Sequence, residues 1–169
     1  MLYFAYGSNL LSRRLTARIG ACAVVGTAQA GGYRLVFHKR GTDGSAKADA
    51  SRTRGENDTV LGVLYRLTRV QKQRLDEFEG PGYRTEEIII RCSGERRQAL
   101  TYVAAEEQID AALVPFKWYR DLVMAGAYQW GFPTAYIEFL ETHTTWHDPD
   151  RERHRRNMVV LKTRLPNSE

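Results

Sequence analysis

Residues 1–10, Met-Leu-Tyr-Phe-Ala-Tyr-Gly-Ser-Asn-Leu, join two different sequence patterns. An apolar run ends at Tyr6, short enough for a buried strand. Beyond the polar turn Gly7-Ser8-Asn9, apolar residues recur at Leu10, Leu11, Leu15 and Ile19, the spacing of a helix with one hidden face. Gly7 gives the turn backbone freedom, and Ser8 or Asn9 stands where a helix cap belongs. The start of a helix offers N–H groups without acceptors and the positive end of a dipole. That combination seats an anion or a developing oxyanion.

Working outward, the next signals are strands. Tyr33 to Phe37 alternates after Gly31-Gly32, and Val60 to Thr68 reads as a strand in which Gly62 marks a bend or a close approach. Between them, Gly41 to Thr59 is polar and without a strong period, so a long functional or mobile loop is expected, with room for a short strand at Ala48 to Ser51. Thr68 followed by Gln71 is a capping box and predicts a helix from about Arg69 to Glu79. Glu87 to Cys92 and Gln98 to Ala104 form a hairpin around Ser93-Gly94-Glu95. Pro115 opens a helix through about Ala127, and Pro133 another through about Thr142. Strands first and helices appended predict an α+β fold with a predominantly antiparallel sheet.

Composition bounds the reading. A chain of 169 residues that is 43% hydrophobic can bury one sizeable core, so residues 1–150 are expected to form one domain, with the basic tail 151–169 as its extension. The net charge of +5 suits an acidic small molecule or a nucleic acid, yet it thickens only at Arg151 to Arg156, where a solvated terminal segment explains it as well. Cys22 and Cys92 are far apart and lack metal spacing, which points to a reduced, cytoplasmic setting. The apolar opening is too short to span a membrane.

The second informative stretch is Leu75-Asp76-Glu77-Phe78-Glu79-Gly80. Val70, Leu75 and Phe78 are read as the inward stripe of its helix, and Glu79, four residues after Leu75, borders that stripe. Partial desolvation, the negative end of the helix dipole and the like charges of Asp76 and Glu77 all work against its charge. Such a carboxylate can take a proton from an ammonium and return it to a leaving group. An ordinary solvated helix end is the competing reading.

The ordered set Tyr6 to Leu10, Gly62 to Tyr65, Leu75 to Gly80 with Tyr83, Phe116 to Tyr119, Met124 to Ala127, and Gly131-Phe132-Pro133 with Tyr136 resembles the gamma-glutamylcyclotransferase family, up to about Pro149. The resemblance implies a small mixed, mostly antiparallel β-barrel flanked by helices, with one pocket at its mouth. It also implies conversion of a gamma-glutamyl compound to 5-oxoproline and a released amine or amino acid, without metal or organic cofactor. Carried over, the catalytic acid/base falls on Glu79. The substrate loop falls on Tyr6, Gly7, Ser8, Asn9 and Leu10, and two pocket aromatics fall on Tyr83 and Tyr119. The loop would bind the substrate, supply oxyanion donors, or do both.

Other candidates carry less. Ser8 has no recognisable His–acid partner for a nucleophile's role. His143 and His147 are four residues apart, but the residues between them form helices poorly and no HExxH pattern exists. Arg13, Arg14 and Arg18 share one side of the first helix and are read as a solvated face. Three functions stay open: a cyclotransferase for gamma-glutamyl amino acids or small peptides, ring closure on a gamma-glutamylated amine, and a non-catalytic binding module touching nucleic acid through Arg151 to Arg156. A glutathione-specific enzyme fits less well, because that branch resembles a loop shortened after Gly-Ser.

Overall fold

A computed structural model of the chain describes residues 1–55 and 57–162. β1 (Leu2–Ala5) lies antiparallel to β5 (Thr59–Arg66), with Tyr3 opposite Tyr65 and Ala5 opposite Val63, and touches β7 (Glu95–Ala104) in parallel at Leu100. β5 continues to β2 (Ala23–Gly31), β2 to β6 (Tyr83–Cys92), and β6 closes on β7, so the order β1-β5-β2-β6-β7 is a closed barrel. Around it stand α1 (Ser12–Ile19), α2 (Arg69–Glu79), α3 (Lys117–Gln129), α4 (Thr134–Glu141) and α5 (Arg151–Lys162). This is the mixed, mostly antiparallel barrel with flanking helices that the sequence led us to expect.

Gly62 is a close approach rather than a bend. A Cβ there would lie 2.4 Å from the Phe4 ring and 2.5 Å from the Ala5 carbonyl oxygen. The absent side chain lets β1 pack flush on β5 and sets where the turn after β1 emerges.

Two strands depart from the sequence reading. β2 is not apparent in the sequence because its pattern is interrupted. The register shifts between Val24 and Gly26, and only Ala28 and Ala30 of the strand are buried. The polar stretch from Gly41 holds a second sheet. β4 (Ala46–Arg52) pairs antiparallel with β3 (Tyr33–Arg40), Phe37 opposite Ala48 and Leu35 opposite Ala50. Alanine supplies the buried face of β4, opposite large residues of β3, so the alternation carries little hydrophobic signal. Glu56, within the same stretch, lies outside the described residues.

α2 begins as read, with both bonds of the Thr68–Gln71 capping box present, and stops at Gly80 with φ +65°. Its expected stripe is narrower. Leu75 alone is buried, while Val70 and Phe78 are exposed, and Phe78 instead lies under the Arg18 guanidinium at 5.3 Å.

The basic tail is not a free solvated segment as far as Lys162. α5 docks on α1 and α3, with Arg153 Nε 2.7 Å from Asp148 Oδ2 and Arg13 donating to the Leu161 carbonyl at 2.7 Å. Asp148 also accepts from the Trp118 indole at 2.8 Å. His143 packs edge-on against Phe37 and Phe139, and the described residues contain no group of three or more His, Cys, Asp and Glu arranged to hold a metal ion. No described helix is long and apolar enough to cross a membrane.

The Asp148 cluster makes a measurable contribution. Burial works against its charge, but the hydrogen bonds from Arg153, Trp118 and the Asp150 amide outweigh it and hold the carboxyl at about 2. A carboxylate whose folded pKa lies below its unfolded value stabilises above the unfolded pKa, and the effect fades as pH falls through the folded one. The cluster therefore contributes about 2 kcal/mol above pH ~4, lost toward pH ~2. Asp148→Asn should lower urea stability by about that much at neutral pH and flatten the acid limb of stability against pH.

Candidate active site

The turn after β1 and the end of α2 meet across the barrel mouth. Residues Ser8–Leu10 form a single 3-10 turn, closed by Leu10 N to Gly7 O at 2.9 Å, and α1 starts only at Ser12. Neither Ser8 nor Asn9 caps that helix; Leu11 occupies the N-cap position without a side-chain bond. The two polar side chains are occupied elsewhere. Ser8 Oγ accepts from Arg14 Nε at 3.1 Å. Asn9, 4% exposed, donates from Nδ2 to Tyr3 Oη at 3.0 Å and to Glu79 Oε1 at 2.8 Å, and accepts at Oδ1 from Arg18 at 2.9 Å.

Glu79 is thereby held by one oxygen. Arg18 reaches the same Oε1 at 3.3 Å, and the side chain is 13% exposed. Among the described residues Oε2 makes no hydrogen bond, so it is the oxygen open to a ligand. The like charges expected around it turn away: Asp76 pairs with Lys72 and accepts from Tyr102 Oη, and Glu77 is exposed. The charged partner of Glu79 is a guanidinium.

Glu79 borders a cavity of about 30 Å³. From the sequence-derived set Tyr6, Gly7, Ser8, Asn9, Tyr83 and Tyr119 line it with Glu79, whereas Leu10 does not. Leu10 is fully buried, packed under Gly126 of α3. Gly7 has an ordinary φ of −98°, so space rather than left-handed geometry is what its missing side chain provides. A Cβ there would stand 3.4 Å from Ala48 Cβ and 3.5 Å from Tyr119 Oη, inside the cavity.

Ala48 of β4 sets the two tyrosines. Tyr83 Oη donates to its carbonyl at 2.6 Å, leaving lone pairs for a cation. Tyr119 Oη accepts from its amide at 3.1 Å, leaving a proton to donate. Tyr6 donates to the Tyr102 carbonyl. Burial raises the pKa of Tyr3, Tyr6, Tyr83 and Tyr119 above the phenol's ordinary value, so all four remain neutral hydroxyls. Tyr3, Tyr102 and Ala48 were missed from the sequence. Nothing local marks them: Tyr3 stands at an odd spacing from Tyr6, which on a strand means opposite faces, and Ala48 carries no functional group.

Outside this cavity, and sharing Ser8, Glu79, Tyr83 and Tyr119 with it, lies a wider one of about 180 Å³. Arg14 and Arg18 from α1 and Lys39 and Lys47 from the β3–β4 hairpin line it. The arginines are therefore not a solvated face: α5 covers that side of α1 through Arg14 to Asn157 Oδ1 at 3.1 Å, and Arg18 is only 18% exposed. Burial, with neighbouring Arg18, brings Arg14 down to about 10. Burial likewise lowers Lys47 to about 8 against the pull of Asp43, its partner at 2.7 Å.

A family model described as gamma-glutamyl cyclotransferase, AIG2-like, matches residues 3–121, a span that contains the turn, Glu79, Tyr83 and Tyr119. The Homo sapiens gamma-glutamylcyclotransferase is 26% identical over 150 residues, 83% of this chain and 77% of its own length. The Mus musculus gamma-glutamylcyclotransferase is 28% identical over 144 residues, with the same coverage. A solved structure of a gamma-glutamyl cyclotransferase matches with a TM-score of 0.83 at 23% identity, covering 96% of this chain and 98% of its own, which shows the shared fold. The chain belongs to the gamma-glutamyl cyclotransferase family, and it is an enzyme of that type.

Proposed function

We propose that the enzyme converts a gamma-glutamyl amino acid or small gamma-glutamyl peptide to 5-oxoproline and the free amino acid, with Glu79 as acid and base. The observation that carries this reading is the half-tethered carboxylate. Asn9 and Arg18 immobilise Oε1, and Oε2 is left open toward the small cavity beside the turn.

The substrate carries its own nucleophile, so the protein has to curl it, remove a proton and stabilise charge. In this reading the reacting end of the glutamyl group reaches the small cavity, and the rest of the substrate lies outside it. Glu79 Oε2 takes a proton from the alpha-ammonium, and Tyr83 Oη accepts a hydrogen bond from the same nitrogen. The freed amine attacks the gamma-carbonyl carbon, and its oxygen becomes an oxyanion near the Ser8 and Asn9 amides, which begin a turn and lack intrahelical acceptors. The bond to the leaving nitrogen then breaks as Glu79 returns the first proton to it. The ring nitrogen, which carries one proton too many after attack, gives that second proton up through Glu79 to the released amine, so that a neutral five-membered lactam and an ammonium depart. The spare proton of Tyr119 is placed to donate to the glutamyl carboxylate.

Two measurements test this. Purified enzyme is incubated with gamma-glutamyl amino acids, gamma-glutamyl amines and glutathione, and 5-oxoproline is followed by mass spectrometry. Production from the amino-acid conjugates is expected. Turnover confined to amines would reassign the substrate, turnover confined to glutathione would narrow it to that one peptide, and silence across the panel would remove the activity. Tyr119→Phe should raise KM about tenfold with a smaller change in kcat, and should lower stability by about 1 kcal/mol because the buried Ala48 amide loses its acceptor.

A further inference from the structure

Lys39 is 6% exposed, and its ammonium makes no hydrogen bond or ion pair among the described residues. It lies over the Tyr83 ring at 4.6 Å and against the bare backbone of Gly82, where a Cβ would stand 2.6 Å from Nζ. Burying a cation without a hydrogen-bonded partner opposes folding; Glu79 and Asp43 act on this one electrostatically, but each is already paired with another cation. Its open side is the outer cavity.

The charges in that cavity do not balance. Glu79 is matched by Arg18 and Asp43 by Lys47. Among the described residues Arg14 is hydrogen-bonded only to neutral acceptors, Ser8 Oγ and Asn157 Oδ1, and Lys39 shares Glu79 and Asp43 with the cations already paired to them. Two cations are therefore left facing one space beside the catalytic carboxylate. With the reacting end of the glutamyl group at the inner cavity, the departing amino acid extends into this outer one. An amino acid released with a neutral side chain brings one carboxylate, and one with an acidic side chain brings two.

We propose that the outer cavity selects gamma-glutamyl dipeptides whose released amino acid has an acidic side chain, with Lys39 and Arg14 as the receiving charges. This rests on the cyclotransferase reading above. It extends that reading by assigning the leaving group and two residues that determine the choice.

The test compares gamma-glutamylglutamate with its isostere gamma-glutamylglutamine, which differ only in the charge of the leaving side chain. Wild-type kcat/KM should favour the acid by about tenfold or more, as a charge-assisted contact in a partly dry site warrants. The preference should shrink as salt is added. In Lys39→Met, which keeps the apolar stem over Tyr83, the acid-to-amide ratio should fall toward one while the thermal midpoint holds or rises. A merely structural lysine would lose midpoint and leave the ratio alone. Should Lys39→Met fail to fold, Gly82→Ala displaces the ammonium without removing it and should lower the same ratio. Turnover of both dipeptides at equal rates, or a ratio untouched by both variants, overturns this inference and leaves the cyclotransferase standing. Failure to form 5-oxoproline from either dipeptide or from the wider panel overturns both.

Discussion

Glu79→Gln should abolish turnover, with kcat reduced by at least about a thousandfold, while the protein stays folded and still binds substrate. The geometry makes this substitution unusually clean. A glutamine keeps an oxygen at the Oε1 position, where Asn9 Nδ2 and Arg18 donate at 2.8 and 3.3 Å. Its amide nitrogen replaces Oε2, the atom with no hydrogen bond among the described residues. No buried donor is stranded, and the loop keeps its anchor. What disappears is the ability to exchange a proton with the substrate nitrogen, worth roughly 10²–10⁴-fold in proton-transfer catalysis. In the proposed mechanism the same group serves twice, on the attacking and on the leaving nitrogen. Stopped turnover with an unchanged thermal midpoint is the expected outcome, and kcat surviving within tenfold would take the proton transfer away from Glu79.

Gly126→Ala should damage stability and chemistry together, although residue 126 lies on α3, outside the walls of both cavities. A Cβ there would fall 2.4 Å from Leu10 Cβ and 2.7 Å from the Leu11 amide nitrogen. Those atoms are the base of the turn that presents Asn9. Alanine favours the helix by almost 1 kcal/mol, but overpacking against backbone outweighs it, for a net loss of about 2 kcal/mol and a midpoint lower by roughly 4–8 °C. The turn yields before the helix does, since Trp130 Nε1 ties α3 to the Leu10 carbonyl at 2.8 Å and drags the displacement into the loop. Asn9 then loses its line to Glu79, and kcat falls by about tenfold or more. Leu140→Ala, a cavity in α4 away from the site, is the control: equal or greater destabilisation with kcat retained. Equal kcat in the two variants would show that the turn does not depend on Gly126.

The parts legible in the sequence are those whose signals are local. Thr68 and Gln71 are three residues apart and satisfy one another, so α2 is found to within a residue. The turn at Gly7 to Asn9 and the glutamate before Gly80 are read from neighbours along the chain. Where local logic was extended too far it misassigned partners: Ser8 and Asn9 look like caps, but their hydrogen bonds run to Arg14, Tyr3 and Glu79. β2 and β4 were hidden for a different reason. A bulge breaks the alternation of one, and alanine supplies the buried face of the other, so neither projects a hydrophobic period.

From the sequence alone came the strand–turn–helix opening, the capped helix that ends in an acid, the α+β class and the family resemblance, because each is written in residues within a few positions of one another or in their order along the chain. Only the tertiary structure decided that Asn9 grips Glu79 seventy residues away, that Ala48 sets Tyr83 and Tyr119, and that Arg14, Arg18, Lys39 and Lys47 face one cavity. Those relations depend on the barrel's closure and on the hairpin folded across its mouth, and hydrogen bonds and charges act over ångströms of space, whatever the number of residues between them.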